Sequence, residues 1–180
     1  MSADFRENYR FLARYNHWFN RRLYEACGKL SDEERKCDRG AFFGSIHQTL
    51  GHLIWGDTVW LGRFARQGID FASLKPEILV LPANARHDSE LFNDFEAMRV
   101  HRDQLDMAID AWLADMPSDF PERIMRYSNT QGVQREHPMW QALSHFFNHQ
   151  THHRGQVTTL LMQAGIDPGT TDLISLVSIQ

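Results

Sequence analysis

The sequence predicts an all-α fold, a four-helix bundle with a long crossover connection and a short hairpin before the last helix. Three observations lead to it. Four long segments repeat apolar residues at the spacing of one helix face. Residues that start and stop helices punctuate the ends of those segments. A chain of 180 residues is long enough for one well-cored domain and short for two. No internal repeat and no linker rich in Gly, Ser or Pro divides it, so residues 1–180 are expected to form a single domain.

The first helix is expected from about Asp4 to Leu30, where Phe5, Tyr9, Leu12, Trp18, Phe19 and Leu23 keep helical spacing. Ser31, with Glu34 three residues on, reads as a capped short turn. Gly40 and Gly44 mark a loop. The second helix should span about Ser45 to Gln67, with Gly68 to end it. From Gly68 to His87 the chain holds Pro76 and Pro82 and no helical period, which reads as a long connection. Asp88 or Ser89 can cap a third helix reaching about Met116, where Pro117 follows. Between Pro117 and Pro138, "RIMRYSNTQGVQREHP" resembles a hairpin around Thr130-Gln131-Gly132. The fourth helix should run from about Met139 to Ala164 and stop at Gly165, leaving a tail with alternating apolar positions.

Bulk properties remove several classes of function. Hydrophobic residues at 42% and charged residues at 23% are ordinary for a folded protein, so disorder is not indicated. A formal net charge of −4 and the lack of a Lys/Arg cluster argue against nucleic acid as a partner. No apolar run approaches the roughly 18 residues that span a bilayer, so no membrane partner is expected. "MSADFRENYRFL" has no signal-peptide core, from which a cytoplasmic location is expected. Cys27 and Cys37 are two residues only, without CxxC spacing, and read as small buried hydrophobes rather than a metal or redox pair.

The chemistry concentrates in "HFFNHQTHHRGQ", where His145, His149, His152 and His153 fall within nine residues. Four residues apart on a helix, His149 and His153 stand on one face one turn apart. Both border the apolar arc of Leu143, Phe146, Phe147, Val157 and Leu161, whereas His145 and His152 fall further towards solvent. Such a pair can grip one metal ion, but a secure site needs a third ligand. His17, His47, His52, His101 and His137 are all candidates, since bundled helices lie about 8–10 Å apart. Periodicity does not choose among them, although His47 and His52 point in different directions and at most one can serve. Neither Glu-x-x-His pairs nor HExxH, the H-x-E…C-x-x-C pattern, GxSxG, a P-loop or GxGxxG occurs. An all-histidine site is what remains.

"LGHLIWGDTVWLGR" (Leu50–Arg63), followed far downstream by "NHQTHHRGQ" (Asn148–Gln156), resembles the DinB family of bacterial helical bundles. "YNHWFNRRL" (Tyr15–Leu23), "NTQG" and the terminal "DPGTTDLI" fit the same family, so the likeness runs from roughly residue 5 to residue 175. It implies a four-helix bundle with a divalent metal held by three histidines, one from a Leu-x-His-Leu element and two from HxxxH. Carried over, these are His52, His149 and His153. Nothing in the matched motifs departs from the family pattern.

The resemblance also implies chemistry. Relatives include transferases and isomerases that use a low-molecular-weight thiol, so the expected function is a metal-dependent enzyme of thiol S-transferase or hydrolase type, with a small-molecule substrate. Zinc or nickel is the expected ion, with iron or manganese also suited to imidazole. The alternative is a non-catalytic damage- or stress-inducible protein whose metal is structural. Gln48, Asn148, Arg154 and Gln156 are candidates to orient the ligands. Trp18, Trp55, Trp60 and Trp140 are candidates for the core or for a substrate pocket. Asp57 is unusual on an apolar arc; an arginine or a ligating histidine is a candidate partner, and the sequence does not choose between them. Exposed apolar helix positions, plus family habit, lead to an expected homodimer.

Overall fold

Asp4 fixes the first helix by accepting the Arg6 amide, and residues 4–177 are described here from a computed structural model. Helix α1 spans Phe5–Cys27, the short α2 Asp32–Lys36, α3 Ile46–Ala65, α4 Phe95–Ala114 and α5 Met139–Gln163. Strands β1 (Ile124–Ser128) and β2 (Gln134–Pro138) form a two-stranded antiparallel sheet before α5. The chain is mostly helical, as the spacing of its apolar residues requires.

Local chemistry accounts for most boundaries. Ser31 and Glu34 form a complete capping box at α2. Ser45 caps α3 through the Gln48 amide. The hairpin turns at Asn129, whose side-chain oxygen accepts the Gln131 and Val133 amides, and at Gly132, whose φ of +80° suits glycine. The third long helix is shorter than expected. It starts at Asp94, not at Asp88 or Ser89, and Asp94 accepts the Ala97 amide. The Phe92 carbonyl receives a bond from His47 Nε2 (2.6 Å), an acceptor that a helix over these residues would have used in its own ladder. The connection between α3 and α4 therefore runs over residues 66–94.

Contacts run from 10 to 113, from 17 to 110 and from 20 to 106, so α1 and α4 pack antiparallel. Helices α3 and α5 pack against each other, and α5 also lies on α1. Trp112 is fully buried, stacked on Phe64 and edge-on to Phe71, Phe120 and Phe146. The tail contributes Leu173 and Leu176 to the edge of this core, and the Tyr15 hydroxyl donates to the Thr171 carbonyl. Cys27 is buried, as expected of a small hydrophobe; Cys37 is instead exposed, its thiol donating to the Glu34 carbonyl.

Within the core lies a layer of charge. Arg102 of α4 donates to Asp57 of α3 (2.6 Å) and to Asp106 one turn on (2.7 Å), and Asn20 of α1 donates to both Asp106 oxygens. Asp57 and Arg102 are 1% and 2% exposed, which explains the acid on an apolar arc: its partner comes from a different helix. Removing one member of a buried pair leaves the other uncompensated. Arg102→Met, which strands two carboxylates, is expected to cost about 3–5 kcal/mol in urea unfolding. Asp57→Asn, which keeps an acceptor, should cost less.

Candidate metal centre

Helix α3 supplies His52, and α5 supplies His149 and His153. Their seam is antiparallel: His52 faces His149 and His153, Gly56 faces His149, and Trp60 faces His145. One donor nitrogen from each of His52, His149 and His153 lies within 4.8 Å of the others. Nε2 of His52 and Nε2 of His149 are 3.2 Å apart. Nitrogens held tetrahedrally at zinc's usual bond length stand about 3.3 Å apart, so the spacing fits one shared ion.

Two of the rings are oriented from behind. His52 Nδ1 donates to the His87 carbonyl (2.8 Å), and His153 Nδ1 donates to Gln156 Oε1 (2.7 Å). A proton on Nδ1 leaves the Nε2 lone pair free, as in oriented metal ligands. Phe43 stacks on His52, with centroids 4.0 Å apart, and Trp55 lies 5.8 Å away. Phe43 reaches there from a tight loop that turns at Gly44, where φ is +74°.

Electrostatics favour neutral donors. Burial, opposed by the bond to His87 and reinforced by His153, pushes the His52 imidazole down to about 4. Burial, then His153 and His52, pushes His149 down to about 3. Burial also lowers His153, against the pull of Gln156. All three therefore present lone pairs at neutral pH.

The structure brings together the three histidines that the family resemblance implied. His47 turns to the Phe92 carbonyl, His17 pairs with Asp110 at 2.7 Å, His101 lies against Phe92 and His137 against Tyr127. His145 and His152 are exposed, on the solvent side of α5. Of the suggested orienting residues, Gln156 contacts a ligand-set histidine. Arg154 is fully buried over Tyr15 and Phe19 instead, while Asn148 is exposed. Among the tryptophans, Trp55 and Trp60 lie along the seam, Trp18 stacks near Tyr15, and Trp140 is 41% exposed. Sequence reasoning missed the His87 carbonyl and the Phe43 ring. A backbone acceptor has no side-chain signature, and an aromatic in a glycine loop is unremarkable in one dimension.

A helical protein with three convergent histidines is the class that fold and site define. The chain belongs to the DinB family, whose model matches residues 2–179. It is 24% identical over 161 residues to Protein DinB of Bacillus subtilis (strain 168), covering 89% of this chain and 88% of that relative. No solved structure matches the chain significantly.

Two outcomes follow from the geometry. A Cβ at Gly56 would stand 2.7 Å from His149 Cε1, whereas Gly51 and Gly155 have open space and Gly62 meets only the tip of Arg66 at 3.8 Å. Gly56→Ala must therefore swing the His149 ring, and divalent-metal affinity measured by calorimetry should fall at least about tenfold. Gly62→Ala, on the same helix, should keep affinity and gain about 0.4–1 kcal/mol in stability. For pH, the folded values of about 4 and about 3 lie below the ordinary 6.5. The unfolded chain thus binds more protons, and metal-free stability, full above about 6.5, should fall as pH drops towards those values. Urea unfolding at a series of pH values checks this, and His149→Ala should flatten the profile.

Proposed function

We propose that the chain is a single four-helix-bundle domain that binds one divalent metal ion through His52, His149 and His153, and that it is a metal-dependent enzyme of thiol S-transferase or hydrolase type. One observation carries the reading: among the described residues, the donor group consists of these three histidines and has no fourth member. Structural zinc sites close with four protein ligands, whereas catalytic ones leave a position for water or substrate. Zinc or nickel suits a set of imidazoles.

When bound, an ion carried by neutral imidazoles keeps its full charge and lowers the pKa of a ligating thiol or water. The chain's own residues do the rest. The His87 carbonyl and Gln156 hold the His52 and His153 rings at fixed tautomers. Phe43 and Trp55 cover His52 with apolar surface, which keeps water from its ring face. A thiol or water acidified there would release its proton to solvent, and the resulting anion would attack a small electrophile as that electrophile's leaving group departs as an anion.

Elemental analysis of His149→Ala and His153→Ala should find no bound metal, and retention in both would end the ligand assignment. Gln156→Leu should weaken metal binding about 10–100-fold. Full metal occupancy without turnover, for a panel of low-molecular-weight thiols with a chlorobimane electrophile and for hydrolysable esters, would instead favour a metal that only staples the helices.

A further inference from the structure

Arg63 lies on α3 three turns beyond His52. Its guanidinium lies against the Trp60 ring (4.6 Å) and the Tyr127 ring (4.7 Å), and the residue is 9% exposed. A buried arginine normally meets a carboxylate or carbonyl. Arg102 has Asp57 and Asp106, and Arg35 has the Cys27 and Leu30 carbonyls. The Arg63 side chain donates to no acceptor and lies in no ion pair among the described residues, and its nitrogens are not sealed from solvent. The two rings stand 5.4 Å apart and so flank the guanidinium on one side, which leaves its N–H groups without a protein acceptor; an arginine fork in that state suits an oxyanion.

Two imidazoles complete the corner. His145 packs on Trp60 at 4.8 Å, and His137 packs on Tyr127 at 5.5 Å. Partial burial, then Arg63 and His137, lower the His145 pKa, so the three groups are electrostatic neighbours. The one acid on the hairpin, Glu136, is taken by Arg126 at 2.7 Å. The corner is also joined to the three-histidine centre, since His145 is 5.9 Å from His149 and one turn along the same helix.

We infer that Arg63, His137 and His145 form an oxyanion subsite that takes a carboxylate or phosphate group of the substrate whose other end reaches the His52, His149 and His153 centre. The substrate end of this inference rests on the proposed function; the anion site itself does not require the metal.

The test uses the zinc-loaded full chain, and the same chain after chelation, titrated with succinate, inorganic phosphate or neutral succinamide at constant chloride-balanced ionic strength. Histidine side-chain NMR signals report binding, because an anion beside an imidazole changes the shielding of its ring nuclei. Saturable shifts at His145 and His137 with succinate, phosphate or both, and none with succinamide, are expected in both metal states. Succinate and phosphate separate a carboxylate-bearing from a phosphorylated substrate. Arg63→Gln should weaken binding at least about tenfold, with Arg63→Lys recovering part of it. His145→Gln, at an exposed position, should also weaken it while preserving the fold. No saturable shift with either anion, or unchanged affinity in both Arg63→Gln and His145→Gln, overturns the inference. Binding that persists in the chelated chain separates this result from any failure of the metal assignment.

Discussion

The close approach of α3 and α5 at Gly56 is the constraint on which the rest of the site depends. A side chain at that position would occupy the space of the His149 ring, whose Cε1 lies 2.7 Å from where a Cβ would stand. Glycine weakens a helix interior by roughly 0.8–1.0 kcal/mol relative to alanine. Here that cost is accepted at a point where two helices must touch. With the ring laid against α3, His149 Nε2 comes within 3.2 Å of His52 Nε2, and His153 joins from the next turn. Everything chemical about the seam follows from that contact.

Two further features hold the seam in register. The buried Asp57–Arg102–Asp106 layer ties α3 to α4, and Asn20 extends it to α1. Its geometry is specific because a desolvated charge tolerates few positions for its partner. The long connection over residues 66–94 does the other part. Its His87 carbonyl fixes the His52 ring, and its Phe92 carbonyl takes up His47, removing a competing imidazole. An irregular segment is useful here because its carbonyls are not already committed to a helix ladder. The site is thus assembled from two helices and two loops, and the loops act largely through backbone atoms and one aromatic face.

Much of this was legible in one dimension. The long helices follow from apolar spacing, and their ends from Ser31, Ser45, Gly68, Pro117 and Gly165. The hairpin follows from Asn129 to Gly132. His149 and His153 were readable as a pair because four residues complete about one turn. His52 was not readable from spacing, since five histidines elsewhere were equal candidates, and family likeness supplied the choice. The start of α4 was misplaced because Asp88, Ser89 and Asp94 are all competent caps. In the structure Asp94 accepts the Ala97 amide and the Phe92 carbonyl is taken by His47. Asp57 was flagged as odd, but its partner Arg102 lies 45 positions away and shares no local pattern with it.

The sequence by itself determined which segments become helices, which face of each is apolar, and that two imidazoles project side by side from the last one. These are local consequences of backbone period and side-chain polarity, carried within a dozen residues. Tertiary structure alone decided which distant histidine meets that pair, which carbonyl orients the His52 ring, and that Arg63 is left buried against two aromatics without an acid. Those outcomes depend on how helices dock, and docking is settled by the fit of whole faces and by where a glycine lets two backbones close, which no short window of residues records.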